Sequence, residues 1–299
     1  MNHADAVAAN TGKPVFAARA RTALAAFLGK LMHEPLGLFG FAVLALLIII
    51  AILAPFIAPH DPLRQNLAEA LQAPSLSHWA GTDEFGRDIL SRLILGTRIT
   101  IQTVLSVSLI IGPLGLLIGI IAGFAGGRTD AILMRITDIV LSFPSLILAL
   151  AFAAALGPGL NTAVIAISLT GWPPIARLAR AETLIVRNTD YVAAARLYGA
   201  SPARLLFLYI APMCIPSVVV RLTLNMAGII LTAAALGFLG LGAQPPAPEW
   251  GAMISNGRKF MLDHWWVAVM PGIAILITSL AFNLVGDTLR DILDPRHAR

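Results

Sequence analysis

An all-α protein that crosses a membrane repeatedly is what this sequence predicts, and three observations carry the prediction. The 299 residues are 58% hydrophobic and only 12% charged, where a soluble domain is roughly 45–50% apolar and about 25% charged. Mean hydropathy is +0.82. Stretches long enough for a membrane helix, about 20 residues, recur without Asp, Glu, Lys or Arg. A soluble globule cannot hide that much apolar surface, so an ordinary soluble enzyme is excluded, as are a disordered chain and a nucleic-acid coat. The net charge of +5 reads as Lys and Arg fixing orientation in the bilayer. Cys214 is the single cysteine, which excludes an intrachain disulfide; it reads as a small hydrophobe near a helix end.

Residues 1–34 read as a cytoplasmic tail. In it Phe16, Ala20, Leu24, Phe27, Leu28 and Leu31 form one helical stripe opposite Arg19, Arg21 and Lys30, the pattern of an amphipathic helix at the membrane interface. Residues 35–299 form the membrane domain. The first span lies in 35–60 and the second in 99–127. Residues 139–176 are charge-free but too long for one helix, and Gly157-Pro158-Gly159 divides them into a third and a fourth. The fifth lies in 222–248 and the sixth in 264–286. Six spans put both termini on one side. With the N-terminus cytoplasmic, fifteen Lys and Arg fall inside and six outside, as the positive-inside rule requires.

The outer loop 59–98 ends in GTDEFGRDILSR, residues 81–92. Ile89, Leu90, Leu93 and Ile94 share one helical face; Arg87, Asp88, Ser91 and Arg92 share the other. Two readings stand: a surface-lying helix steadied by opposite charges, or a contact region for a partner or a pore mouth. A second outer loop covers about 243–263. The cytoplasmic loop 177–212 carries two short helices. Asp190 caps the first, Gly199 ends it, Ser201 caps the second with Pro202 in its first turn, and Pro212 limits it. So long and well-capped a connection reads as a docking element. The fifth span is rich in small residues, including Gly228, Ala233, Ala234, Ala235 and Gly237, with Thr223, Asn225 and Thr232 as its polar groups; close packing and a pore-lining role both fit. Arg135 and Asp138, three apart, are expected to pair with each other.

Chemistry-bearing constellations are missing. The six histidines are scattered without metal-ligand spacing on one helix, and His33-Glu34 is followed by Pro35. There is no G-x-S-x-G elbow. Gly12-Lys13 and Gly29-Lys30 lack the following Ser or Thr of a phosphate loop. The chain reads as a transport protein without a catalytic site, without a metal site and without a nucleotide of its own, powered from outside.

Five motifs then stand in order: GTDEFGRDILSR (81–92), DAILMRITDIVLSFPSL (130–146), the loop 190–212, ALGFLGLGAQPPAPEWG (235–251) and FNLVGDTLRDILDPR (282–296). With these the chain resembles the membrane permease subunits of bacterial ATP-binding-cassette importers of the dipeptide/oligopeptide/nickel branch, and within it the second of two paired permeases. The family loop reads Glu-Ala-Ala, three residues, Gly, then a segment ending in Pro. Ala194, Ala195, Gly199 and Pro212 match, while Ala193 replaces the Glu and Ala211 the Leu before the proline.

The resemblance implies the type I importer permease fold. It implies a coupling helix seated in an ATPase subunit, with Tyr191, Ala194, Ala195, Arg196, Gly199, Ala200, Ser201, Pro202 and Pro212 at the contact. Thr223, Asn225, Met226 and Thr232 become candidate pore-lining residues. Gly81, Thr82, Asp83, Gly86, Arg87, Asp88, Ser91 and Arg92 form an outer-face motif. Implied partners are a paralogous permease, two ATPases that bind ATP and Mg, an extracytoplasmic binding protein and membrane lipid, in the bacterial inner membrane. Di- or oligopeptides are the implied cargo; nickel, glutathione, D-amino-acid dipeptides and oligosaccharides are the alternatives. A stand-alone secondary transporter would show midplane charges or broken helices, and the first of these is absent, since no Asp or Glu lies near the middle of a span.

Overall fold

The structure is a computed structural model that describes residues 29, 31, 32 and 34–293, so the expected amphipathic helix at 16–31 lies almost wholly outside the described residues. The described chain is helical. Its elements are α1 (Pro35–Ile57), α2 (Ile89–Ala125), α3 (Gly127–Leu141), α4 (Ser145–Leu156), α5 (Leu160–Gly171), α6 (Pro173–Val186) and α7 (Asp190–Leu197). They continue with α8 (Pro202–Phe238), α9 (Trp250–Gly257) and α10 (Trp266–Leu293).

Four of these helices, α1, α2, α8 and α10, are long and apolar enough to cross a membrane; α3 and α4 together make a fifth candidate, bent by 88°. The bend falls where Ser142-Phe143-Pro144 interrupts the apolar run, since a proline disfavours helical geometry in the residue before it. The Gly157-Pro158-Gly159 break is present as expected, but it separates two 12-residue helices. Each is about 18 Å long, short of an ~30 Å hydrocarbon layer. The stretch 139–176 therefore does not form two straight spans.

α2 is the spine. At 37 residues it is about 55 Å long. Gly115, Gly119 and Gly123, one every four residues, let α6 lie directly on it. A Cβ at Gly115 would strike Ile175, one at Gly119 the Ala176 carbonyl, and one at Gly123 Thr183. Such a stripe replaces side-chain contact by backbone contact, the means by which membrane helices gain van der Waals energy. α1 approaches α10 in the same way, with Gly37 against Thr288 and Gly40 against Leu284, while Phe39, Ile52 and Phe56 point outward, exposed.

Helix α8 corrects the expected stop at Pro212. Leu205–Ile210 opens into π geometry, with the Ala211 amide donating five residues back to the Leu206 carbonyl. The wider turn accommodates the missing N–H and the ring of Pro212, and the helix continues to Phe238. Cys214 is buried within α8 against Thr183 of α6, Oγ1 to Sγ 3.6 Å.

Candidate functional site

The two ends of the bundle are built on opposite principles. Around the start of α2, charged groups are buried. Asp83 Oδ1 accepts from the amides of Phe85 (2.9 Å) and Arg87 (3.0 Å), and its Oδ2 accepts from Arg87 Nε at 2.7 Å and faces Arg92 Nε at 3.5 Å. Asp88 caps α2, its Oδ2 accepting from the Ser91 amide (2.7 Å) and hydroxyl (2.6 Å). Arg92 donates to the Pro62 carbonyl at 3.1 Å. One carboxylate, that of Asp83, thus faces two guanidiniums away from water. Thr82 bridges the Glu69 carbonyl and the Gln72 amide. Gly86, at φ +69°, lies where a Cβ would run into the Asn66 carbonyl. The surface-lying reading of Arg87, Asp88, Ser91 and Arg92 is therefore corrected: all eight motif residues from Gly81 to Arg92 are buried. They hold the loop together and present no side chain as a contact surface.

Beside this cluster α9 is capped by Glu249, which accepts from the amides of Gly251 (3.0 Å) and Ala252 (2.9 Å). Burial raises the Glu249 carboxyl above its ordinary value and outweighs the two amide hydrogen bonds that lower it. Trp250 donates to the Leu93 carbonyl at 3.2 Å, fixing the second loop against α2.

At the far end, α6 is clamped to α3 and α2. Arg180 holds Asp130 by two bonds of 2.6 Å, Arg177 holds Asp138 at 2.6 Å, and Arg187 donates to the Gly123 carbonyl at 2.6 Å. The expected Arg135–Asp138 pair is thus replaced by one between helices, because α6 brings a better-aimed guanidinium to Asp138. Ser217 of α8 donates to Glu182 at 2.9 Å.

The α7 knuckle follows. Thr189, not Asp190, is its N-cap residue; Asp190 sits in the first turn, and the Thr189 hydroxyl bonds back to Val186. Its exit is a Schellman turn: the Gly199 amide donates to the Arg196 carbonyl and the Ala200 amide to Ala195, with Gly199 at φ +79°. Ser201 caps the next turn, accepting from the Arg204 amide, with Pro202 in its first turn. Val192 and Ala195 are buried and anchor the knuckle, and the Tyr191 ring lies 5.4 Å from that of Tyr209. Tyr191, Ala194, Arg196, Gly199, Ser201, Pro202 and Pro212 are exposed, and Ala200 is half-buried. Leu197 and Tyr198, which spacing did not single out, are 89% and 93% exposed.

On α8, Arg221, Asn225, Gly228 and Thr232 form one stripe on a side that the chain leaves partly or wholly open. Thr223 is not on it; it is 7% exposed and bonds the Val219 carbonyl. Met226 is half-buried against the core.

Residues 115–299 match the profile of the binding-protein-dependent transport system inner membrane component. Residues 22–74 match the N-terminal TM domain of oligopeptide transport permease C. The chain belongs to this permease family. It is 47% identical over 266 residues, 89% of each chain, to a probable D,D-dipeptide transport system permease protein of Escherichia coli. It is 45% identical to a di/tripeptide transport system permease protein of Pseudomonas aeruginosa, over 88% of this chain and 89% of the relative. It is 37% identical to a dipeptide transport system permease protein of Bacillus subtilis, over 90% and 85%. This permease is an inner membrane component with several apolar helices.

Two of the histidines scattered along the sequence, His60 and His78, meet in space. His60, His78 and Asp88 bring one ligand atom each within 4.8 Å of one another. No spacing rule finds them, because loop residues far apart in the chain meet only once α1 and α2 are in place.

Proposed function

We propose that this permease forms one half of the pore of an ATP-driven importer of di- and oligopeptides. A paralogous permease supplies the other half, and two ATPases carry the ATP and Mg. The observation that carries this reading is the α7 knuckle: a rigid, buried-anchored turn that holds Leu197 and Tyr198 in water. No isolated chain gains from exposing two large apolar side chains on a loop this well fixed; a groove in a partner covers them. The knuckle runs through Ser201 and Pro202 into α8, so displacement at the docking site is delivered to a membrane helix and its open Asn225–Thr232 stripe. The cargo is argued from the dipeptide and peptide permeases that resemble the chain over most of its length. On this reading α3–α4 and α5–α6 supply the third and fourth of six crossings and both termini are cytoplasmic. The end that carries 59–98 and 243–263 meets an extracytoplasmic binding protein.

The test is purification of the tagged chain from native membranes in mild detergent, followed by reconstitution. A second permease and proteins bearing phosphate loops should co-purify, and labelled dipeptide should enter proteoliposomes only with ATP. Gly199→Val and Arg196→Glu should uncouple uptake. Recovery of the chain alone, moving solute without ATP, overturns the proposal.

A further inference from the structure

We propose that His60, His78 and Asp88 form a binding site for one divalent transition cation of the zinc type. The site would join the exit of α1 to the start of α2.

The Asp88 carboxylate is divided between two tasks. Its Oδ2 is used by the Ser91 amide and hydroxyl, as described above, while Oδ1 faces the two imidazoles, 3.0 Å from His78 Nδ1 and 3.8 Å from His60 Nδ1. A tetrahedral zinc ion with ligand bonds of about 2.0–2.1 Å sets its donors about 3.3 Å apart, between the two observed spacings. A His–Asp hydrogen bond accounts for His78. It does not account for His60, whose Nδ1 lies beyond hydrogen-bond range of the same oxygen, yet whose ring centroid lies 4.7 Å from that of His78, the rings tilted by 33°.

The surroundings hold the donors in place. Ser91 Oγ, which donates to Asp88, also accepts from the His60 amide at 3.0 Å, so one hydroxyl fixes two of the three ligand-bearing residues. The far nitrogen of His78 faces a Glu69 carboxylate oxygen at 3.7 Å, a longer-range electrostatic contact and not a hydrogen bond. Burial is graded, too. The His78 and Asp88 side chains are 8% and 2% exposed and that of His60 is 45%, and a recess of about 250 Å³ beside Trp79 reaches His60 and Asp88. An ion thus has a route in and room for a water as fourth ligand. Two neutral imidazoles and one carboxylate suit zinc, nickel or copper and disfavour calcium and magnesium, which take oxygen ligands. The site lies in a loop of one chain, outside the candidate pore stripe on α8, and is a resident site distinct from any cargo.

The experiment uses the intact importer complex, purified through a histidine-free tag, stripped with a chelator and dialysed. Zinc alone is titrated against a chromophoric competitor. The wild type should hold one zinc per copy of this chain that His60→Gln holds about tenfold or more weakly. Zinc should raise the thermal midpoint of the wild type and leave that of His60→Gln in place. His60 is the exposed ligand, so its replacement leaves the fold intact. His78→Gln, provided it keeps the wild-type elution profile without metal, should behave in the same way. Calcium should do neither. Equal zinc stoichiometry and affinity in wild type and His60→Gln, or an equal response to calcium, overturns the proposal.

Discussion

The loop 81–92 and the knuckle 190–204 are similar in composition, each a short polar segment with arginines and a capped helix start, yet they are built for opposite ends. In the first, the buried charges are met within the chain: Asp83 holds Arg87 and faces Arg92, and Asp88 accepts from Ser91 through Oδ2 and faces His78 through Oδ1. In the second, the arginines point into water and so do Leu197 and Tyr198. Charge count alone does not distinguish a contact surface from a structural brace. What distinguishes them is where the large apolar side chains end up once the charged groups have been satisfied.

That contrast can be broken from either side. The largest effect is expected for Asp83→Ala, which leaves two buried guanidiniums uncompensated. Removing one member of a buried pair costs about 3–5 kcal/mol, so this variant should lose most of its monodisperse elution after mild heating. Next is Gly119→Val in the α2–α6 seam, where the nearest obstacle is the Ala176 carbonyl and cannot rotate away. Overpacking there should cost about 1–3 kcal/mol, read as a lowered thermal midpoint. Gly199→Val should cost about 1–2 kcal/mol through its left-handed backbone and should also reduce dipeptide uptake. Leu197→Asp with Tyr198→Asp should leave the thermal midpoint of the isolated chain within about 0.5 kcal/mol of wild type while abolishing co-purification of the ATPases. If the knuckle were a brace like 81–92, that double variant would unfold the chain instead.

The smallest effect is a pH slope at Glu249. Its carboxyl is raised by burial, so its favourable contribution is complete below the ordinary value of 4.5 and is lost as pH rises through the raised value. Glu249→Gln should flatten this part of the stability profile, measured as thermal midpoint against pH.

Much of this was legible in the residues. The apolar runs located α1 and α10 and overlapped α2 and α8, but α2 begins ten residues earlier than its run and α8 reaches back to Pro202 and ends at Phe238, short of the expected 248. Gly199, Ser201 and Pro202 placed the knuckle's turn because each carries its backbone preference locally. Gly115-x3-Gly119-x3-Gly123 was in plain view in the sequence, and the close packing expected of the small residues of the fifth span is seen where Gly237 meets Glu249 and Ala234 meets Gly251. The bend at Pro144 was hidden by the charge-free composition on both sides of it, since hydropathy is blind to direction. The stop expected at Pro212 failed because a π turn supplies a way round proline that no local propensity signals. The burial of Arg92 depends on the distant Pro62 carbonyl, and the meeting of His60 with His78 depends on where α1 ends. These are facts of tertiary structure that period and spacing do not encode.

The π turn at Leu205–Ile210 has a mechanical consequence. Beyond it α8 runs unbroken from Ala211 to Phe238, and a regular helix of that length transmits rotation and translation with little loss. A π turn closes its hydrogen bonds five residues apart and interrupts the α-helical ladder, so it is an irregular stretch between the knuckle and the rest of α8. On the proposed reading it decides how much of a stroke at Tyr198 reaches Thr232: stiffening it passes the movement on, and loosening it lets the knuckle turn while the α8 stripe stands still.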